Sequence, residues 1–137
     1  MTTVLDRPEA RQRDSRISVA EYHRTDEFNE QGRRTELIRG MVLEKMSKSP
    51  LHRGICSRLY KLLLRRLSAP YAVWKEEPLT TADSEPEPDI SVTVGAESSF
   101  AEGHPQTAEL VVEVAVTSAA ADRENASIYA EAKVEEY

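Results

Sequence analysis

The stretch ELVVEVAV, residues 109–116, limits the fold more than any other part of the chain. In an extended strand successive side chains point to opposite faces. Leu110, Val112, Val114 and Val116 then share one face, and Glu109, Val111, Glu113 and Ala115 share the other. Both faces are mostly apolar, so this strand is expected at the centre of a sheet covered on both sides. Glu113 falls in its middle. A carboxylate there is costly to ionise unless it is paired, hydrogen-bonded or bound to metal.

The remaining pattern supplies the covering layers. Ser18, with Glu21 three residues on, forms a capping box and predicts a short helix over 19–24. Residues 35–39 and 41–46 predict two short strands joined at Gly40. Residues 50–67 make the clearest helix, with Ser49 as a cap and Pro50 at its first position. Leu51, Ile55, Leu59, Leu62, Leu63 and Leu67 recur at helical spacing on one face, and Arg53, Arg58, Lys61, Arg65 and Arg66 fill the rest. Strands are expected over 71–75 and 89–94. In the second, Ile90, Val92 and Val94 alternate with Asp89, Ser91 and Thr93. Residues 79–88 read as a polar, acidic loop. Residues 119–132 read as a helix that packs through Ala126, Ile128, Tyr129 and Ala130. Residues 1–16 are polar and aperiodic and are expected to form a disordered arm. This order places the chain in the α/β (α+β) class, with a mixed β-sheet flanked by helices and one domain over 17–137.

A length of 137 residues with 39% hydrophobic and 31% charged residues fits that single domain. No apolar run approaches the roughly 20 residues of a membrane helix. The opening MTTVLDRPEARQRDSRI lacks the apolar core of a secretory signal, so a cytoplasmic location is expected. The single Cys56 rules out an intramolecular disulfide and a cysteine-rich zinc site. The net charge of −6 hides a strong asymmetry. Residues 33–75 hold eleven basic and two acidic side chains, a local +9, while residues 76–137 hold two basic and fifteen acidic, a local −13. A polyanion-facing surface beside a cation-binding site would produce this distribution, and so would two halves paired through solvated surface charge.

Asp89 and Glu113 are the informative residues. If their strands are neighbours, both carboxylates lie at one end of the sheet. Two converging carboxylates suit Mg²⁺, which takes oxygen ligands and keeps several waters. The alternative is structural, with Asp89 capping a turn after Pro88 and Glu113 paired with an arginine such as Arg123.

Four stretches carry a family resemblance: EYHRTDEF leading to TELIRGMVLEKMS, SPLHRGICSRLYKLL, EPDISV, and ELVVEVAVTSAAADRENASIYAEAKVEEY. Together they cover nearly everything from Ile17 to Tyr137, and the last is the most specific. In these stretches the chain resembles the Uma-two family of restriction endonucleases, within the PD-(D/E)XK nuclease superfamily. The resemblance implies a restriction-endonuclease-like core and metal-dependent hydrolysis of nucleic-acid phosphodiesters, with Mg²⁺ or Mn²⁺ as cofactor and DNA as the expected partner. It implies that Asp89 and Glu113 are metal ligands and that Glu36 joins the site. His52 matches a histidine common in the family, and its alternative is a helix-start histidine near solvent. His52, Arg53, Arg58, Lys61 and Arg65 form the expected nucleic-acid contact. An ordinary solvated helix face is the alternative for the basic residues.

The resemblance also marks two departures. The superfamily lysine two positions after the glutamate is Ala115 here. The family's usual replacement, four residues before the tyrosine of the YA pair, is Asn125, which carries no charge. Lys133 stands where glycine is usual and points to a changed helix end, and Arg123 lacks lysine's compact charge. Family members also ordinarily continue past Tyr137, so a shortened C-terminus is expected, with an exposed sheet edge that invites homodimers. Three functions are compatible with these residues: a metal-dependent endonuclease, an impaired relic that keeps the fold as a DNA-binding or interaction module, and a structural partner that touches no nucleic acid.

Overall fold

The computed structural model describes residues 16–30, 34–45, 48–115 and 119–137, with only the backbone described at 26, 27 and 119–124. The expected arm over 1–16 lies outside these residues except for Arg16.

Helix α1, Val19–Arg24, starts as its sequence predicts. The Glu21 N–H donates to Ser18 Oγ at 3.1 Å, and the Ser18 N–H donates back to the Glu21 carboxylate at 3.4 Å. The helix buries Tyr22, whose hydroxyl reaches Thr35 Oγ1 at 2.7 Å. That contact docks it on strand β1, Thr35–Ile38, which pairs antiparallel with β2, Met41–Glu44. Arg39 and Gly40 form the two-residue turn, both with positive φ (51° and 82°). This geometry matches the right-handed twist of the strands and favours glycine. Gly40 is also packed closely, since a Cβ there would sit 2.7 Å from the Arg16 Cβ.

Residues 79–88 form the expected loop, and much of it is buried. Leu79, Ser84, Glu85, Pro86 and Pro88 are buried. The segment lies along the hairpin, where Leu37 and Glu85 exchange backbone hydrogen bonds of 2.7 and 3.4 Å. Leu37, fully buried, needs a partner for its outer backbone edge, and this loop supplies one.

A second sheet carries the main core. Strands β3, Tyr71–Lys75, β4, Ile90–Val94, and β5, Leu110–Val112, pair antiparallel in the order β3-β4-β5. The central strand is therefore β4, not the segment at 109–116. All of β4 is buried except Val94. Its polar face is satisfied internally, as where the Trp74 indole N–H donates to Thr93 Oγ1 at 2.7 Å. Strand β5 is only three residues long, because beyond Val112 side chains take over its pairing. The outer edge of β5 is bonded as well. The Val111 N–H donates to the Glu136 carbonyl at 2.9 Å, in a parallel bridge between Leu110 and Glu136.

Helix α2, Pro50–Arg66, covers this sheet. Ser49 caps it by accepting from the His52 N–H. Leu59, Tyr60, Leu63 and Leu67 pack on Val73, Ile90 and Val92. Leu51, Ile55 and Leu62, expected on the same face, are exposed instead. The buried seam is rotated because the first turns direct His52 and Cys56 inward, toward Asp89. Polar chemistry, not the leucine count, sets the roll of the helix.

Helix α3, Ala119–Glu131, buries Ile128 and Tyr129, while Ala130 is exposed. Tyr129 joins Leu79, Ala108 and Val111 in a second core, with Val134 packed against it. The helix ends in a Schellman turn. Lys133 has φ 62°, its N–H donates to the Ala130 carbonyl, and the Val134 N–H donates to the Tyr129 carbonyl at 3.0 Å. Arg39 grips Glu131 through two bonds of 2.6 and 2.8 Å, which ties the hairpin turn to α3. The sequence reading of Lys133 as a changed helix end agrees with this left-handed conformation, which costs a residue with a Cβ roughly 1–2 kcal/mol. Lys133→Gly should therefore raise stability by about 1 kcal/mol. Urea denaturation checks this, and an unchanged or lower midpoint would contradict it.

Candidate functional site

Asp89 stands just before β4 and Glu113 just after β5, one residue beyond the last paired positions, Ile90 and Val112. Side chains make the next rungs. The Val114 N–H donates to Asp89 Oδ2 at 2.7 Å, and the Asp89 N–H donates to Glu113 Oε2 at 3.4 Å. Each carboxylate thus caps the neighbouring strand's end. Two acidic side chains 24 positions apart meet because the antiparallel register places them opposite one another.

The surroundings hold both in place. The Tyr129 hydroxyl donates to Glu113 Oε1 at 2.8 Å. Lys48, in the loop before α2, reaches Asp89 Oδ1 at 2.8 Å and Glu76 Oε1 at 2.8 Å. His52 Nε2 lies 3.1 Å from Asp89 Oδ2, and Cys56 Sγ lies 3.6 Å from His52 Nδ1. Glu36 is withdrawn from solvent on β1 and accepts the Glu87 N–H at 2.8 Å. Lys45 is bonded to Glu87 at 3.1 and 3.2 Å and lends its charge nearby.

These contacts divide the acids electrostatically. Burial opposes the ionisation of Asp89, but the Lys48 and Val114 hydrogen bonds and the charges of Lys48 and His52 outweigh it, and its pKa falls below the usual aspartate value. Burial drives Glu113 the other way, to about 8. The Tyr129 hydrogen bond resists, and the negative charges of Asp89 and Glu36 add to the rise. Glu36 is raised too, chiefly by burial. The Lys48 hydrogen bond lowers Glu76 below the usual glutamate value. One carboxylate is held ionised while its neighbour keeps a proton near neutrality, the pattern expected where burial and a nearby negative charge both disfavour a second ionisation.

The site therefore unites Asp89, Glu113 and Glu36 from the sequence expectations, and it turns His52 inward. Arg53, Arg58, Lys61 and Arg65 stay outside it. Their side chains are exposed on α2 and make no hydrogen bond or ion pair among the described residues. Asn125 is partly buried one turn before Tyr129, on the helix face whose tyrosine touches Glu113. Lys133 is exposed at the far end of α3, and the Arg123 side chain lies outside the described residues. Sequence reasoning missed Lys48, Glu76 and Cys56. The usable signal for two of them was the four-residue spacing of Lys48, His52 and Cys56 across the helix start. A cleft of about 640 Å³ lined by His23, Thr80, Glu85 and Phe100 lies elsewhere and includes none of the three acids of the site.

The fold is an α+β arrangement with two small antiparallel sheets. It matches a solved structure described as a "putative nuclease belonging to DUF820" from Anabaena variabilis, with a TM-score of 0.64 and 16% identity, over 81% of this chain and 66% of that one. The likeness concerns the fold. The chain belongs to the Uma2 family, described as "Putative restriction endonuclease", which it matches over residues 19–137. No curated protein matches it. Among the described residues no helix is long and apolar enough to cross a membrane.

The raised Glu113 has a measurable consequence. Its folded pKa of about 8 exceeds the ordinary 4.5, so between those values the folded chain holds a proton that the unfolded chain releases. Its contribution to stability is then lost as pH rises through that window. In the presence of a chelator, wild type should lose stability relative to Glu113→Gln between about pH 5 and 8. Parallel curves for the two proteins in thermal denaturation would contradict the protonated carboxyl.

Proposed function

We propose that this chain is a metal-dependent endonuclease that hydrolyses phosphodiester bonds of DNA. The observation that carries this reading is the crossed pair of Asp89 and Glu113 with the Lys48 ammonium 2.8 Å from Asp89. The donor set fits Mg²⁺ or Mn²⁺. It is built from carboxylate oxygens, and the repulsion from Asp89 and Glu36, which adds to burial in keeping Glu113 protonated, is what a divalent cation relieves. Asp89 and Glu113 would hold the ion, with Glu36 at the margin. When bound, such an ion activates water and offsets charge on the phosphoryl group.

The protein's own residues supply the rest. Lys48 takes the role of the cation absent at Ala115 and Asn125. Its compact charge is held by Asp89 and Glu76 at the site, where it stabilises negative charge that develops on a bound phosphate. Tyr129 fixes the Glu113 carboxylate, and His52 and the Val114 N–H fix that of Asp89. The exposed cations of α2 meet the polyanion.

With Mg²⁺, the protein should cut plasmid or oligonucleotide DNA. Asp89→Asn should fall to background, and Lys48→Met should lose about 10²-fold. Equal cleavage by Lys48→Met would remove that residue from the reading. DNA binding without cleavage at any Mg²⁺ or Mn²⁺ concentration would overturn the enzyme reading in favour of a binding relic, which the uncharged Asn125 favours. In that case Asn125→Lys should gain activity.

DNA affinity should fall steeply with salt. Removing Arg58 and Lys61 together should reduce the logarithmic slope by roughly 2. An unchanged slope would assign these side chains to a solvated face.

A further inference from the structure

Two inward side chains beside the carboxylate pair, together with one member of that pair, offer a chemistry different from it. A His52 ring nitrogen, Cys56 Sγ and an Asp89 oxygen lie within 4.8 Å of one another. The imidazole nitrogen is 3.1 Å from Asp89 Oδ2, and the sulfur is 4.0 Å from the same nitrogen. Tetrahedral zinc with bonds of roughly 2.0–2.3 Å holds its ligand atoms about 3.3–3.8 Å apart, so small side-chain rotations close the site. The backbone already sets the spacing. His52 and Cys56 are four residues apart on α2, one turn above the other on the same face.

Packing alone does not call for this trio. Cys56 is 2% exposed, and the His52 and Asp89 side chains are 12% and 7% exposed. Three potential ligands are thus oriented together and shielded from water. Lys48 holds the other oxygen of Asp89, Oδ1, while the Val114 N–H steadies Oδ2, the oxygen facing His52. Such orienting bonds are typical of metal ligands. The Lys48 charge opposes a cation, and its pairing with Glu76 offsets that in part.

We infer that His52, Cys56 and Asp89 form a site for a soft divalent transition metal of the zinc class. Thiolate and imidazole donors select such a metal over Mg²⁺, which prefers oxygen. On binding, the Cys56 S–H bond breaks, a metal–sulfur bond forms, and the proton passes to solvent. Three protein ligands leave one position open, unlike a closed structural site. Because Asp89 belongs to both groups, occupancy here withdraws a ligand from the oxygen-donor pair and opposes cleavage. That last consequence rests on the endonuclease reading, and the binding itself does not.

The test uses the whole protein, reduced and free of chelator, titrated with Co²⁺ in the absence of DNA. The expected result is one equivalent bound with a thiolate-to-cobalt charge-transfer band and the intense visible absorption of tetrahedral cobalt. Zn²⁺ should bleach both. Cys56→Ser should abolish the charge-transfer band and weaken binding about tenfold or more, whereas Glu113→Gln should keep the band. A wild-type titration without the charge-transfer band overturns the proposal whether or not the variants fold. So does a folded Cys56→Ser protein that binds Co²⁺ as wild type does. Either failure leaves Mg²⁺-dependent cleavage to its own assay.

Discussion

Two hydrogen bonds cross between the ends of neighbouring strands, from the Val114 N–H to Asp89 and from the Asp89 N–H to Glu113. They replace the backbone pairing that would otherwise continue the ladder. Buried backbone donors must find partners, and here carboxylates are the partners. The sheet therefore ends in acidic side chains. Everything packed near that end answers the resulting shortage of positive charge and of solvent.

The answers come from separate parts of the chain. The loop before α2 contributes Lys48, the first turns of α2 contribute His52 and Cys56, and α3 contributes the Tyr129 hydroxyl. None of these arrives by propensity alone. Helix α2 is rolled so that its N-terminal half faces Asp89 and its C-terminal half lies on Val73, Ile90 and Val92. Leu51, Ile55 and Leu62 are left in solvent as a result. Tyr129 is held by the buried core beneath α3 and by the Schellman turn that brings Val134 back onto it. The site and the two cores are thus mechanically continuous.

Local elements were legible because local chemistry specifies them. The Ser18 capping box, the hairpin turn at Gly40 and the Ser49-Pro50 helix start each involve residues within a few positions of one another. The burial of the loop at 79–88 was not legible. Its polar composition identifies a loop but not its burial, which follows from pairing with the backbone edge of Leu37. The apolar segment at 109–116 misled in the opposite direction. Its alternation is that of a central strand, but the ladder ends at Val112 once Asp89 takes the next donor. Glu113 was found because a carboxylate in an apolar run is conspicuous, Asp89 because it opens the neighbouring strand, and Glu36 only through the family resemblance. Lys48 was not, because a lysine in a polar loop is ordinary until the fold brings it to Asp89.

By itself the sequence determined the order of elements, the helix starts and turns, the segregation of a basic middle from an acidic remainder, and the identity of Glu113 as a costly residue with Asp89 as its candidate partner. These follow from short-range stereochemistry and from the price of burying charge. Only the tertiary structure decided that β4 is the central strand, that α2 turns His52 and Cys56 toward Asp89, and that the nearby cation is Lys48. Those outcomes depend on strand register and helix roll. Both are settled by packing and by pairing of backbone donors across long separations in the chain, which no local pattern of residues encodes.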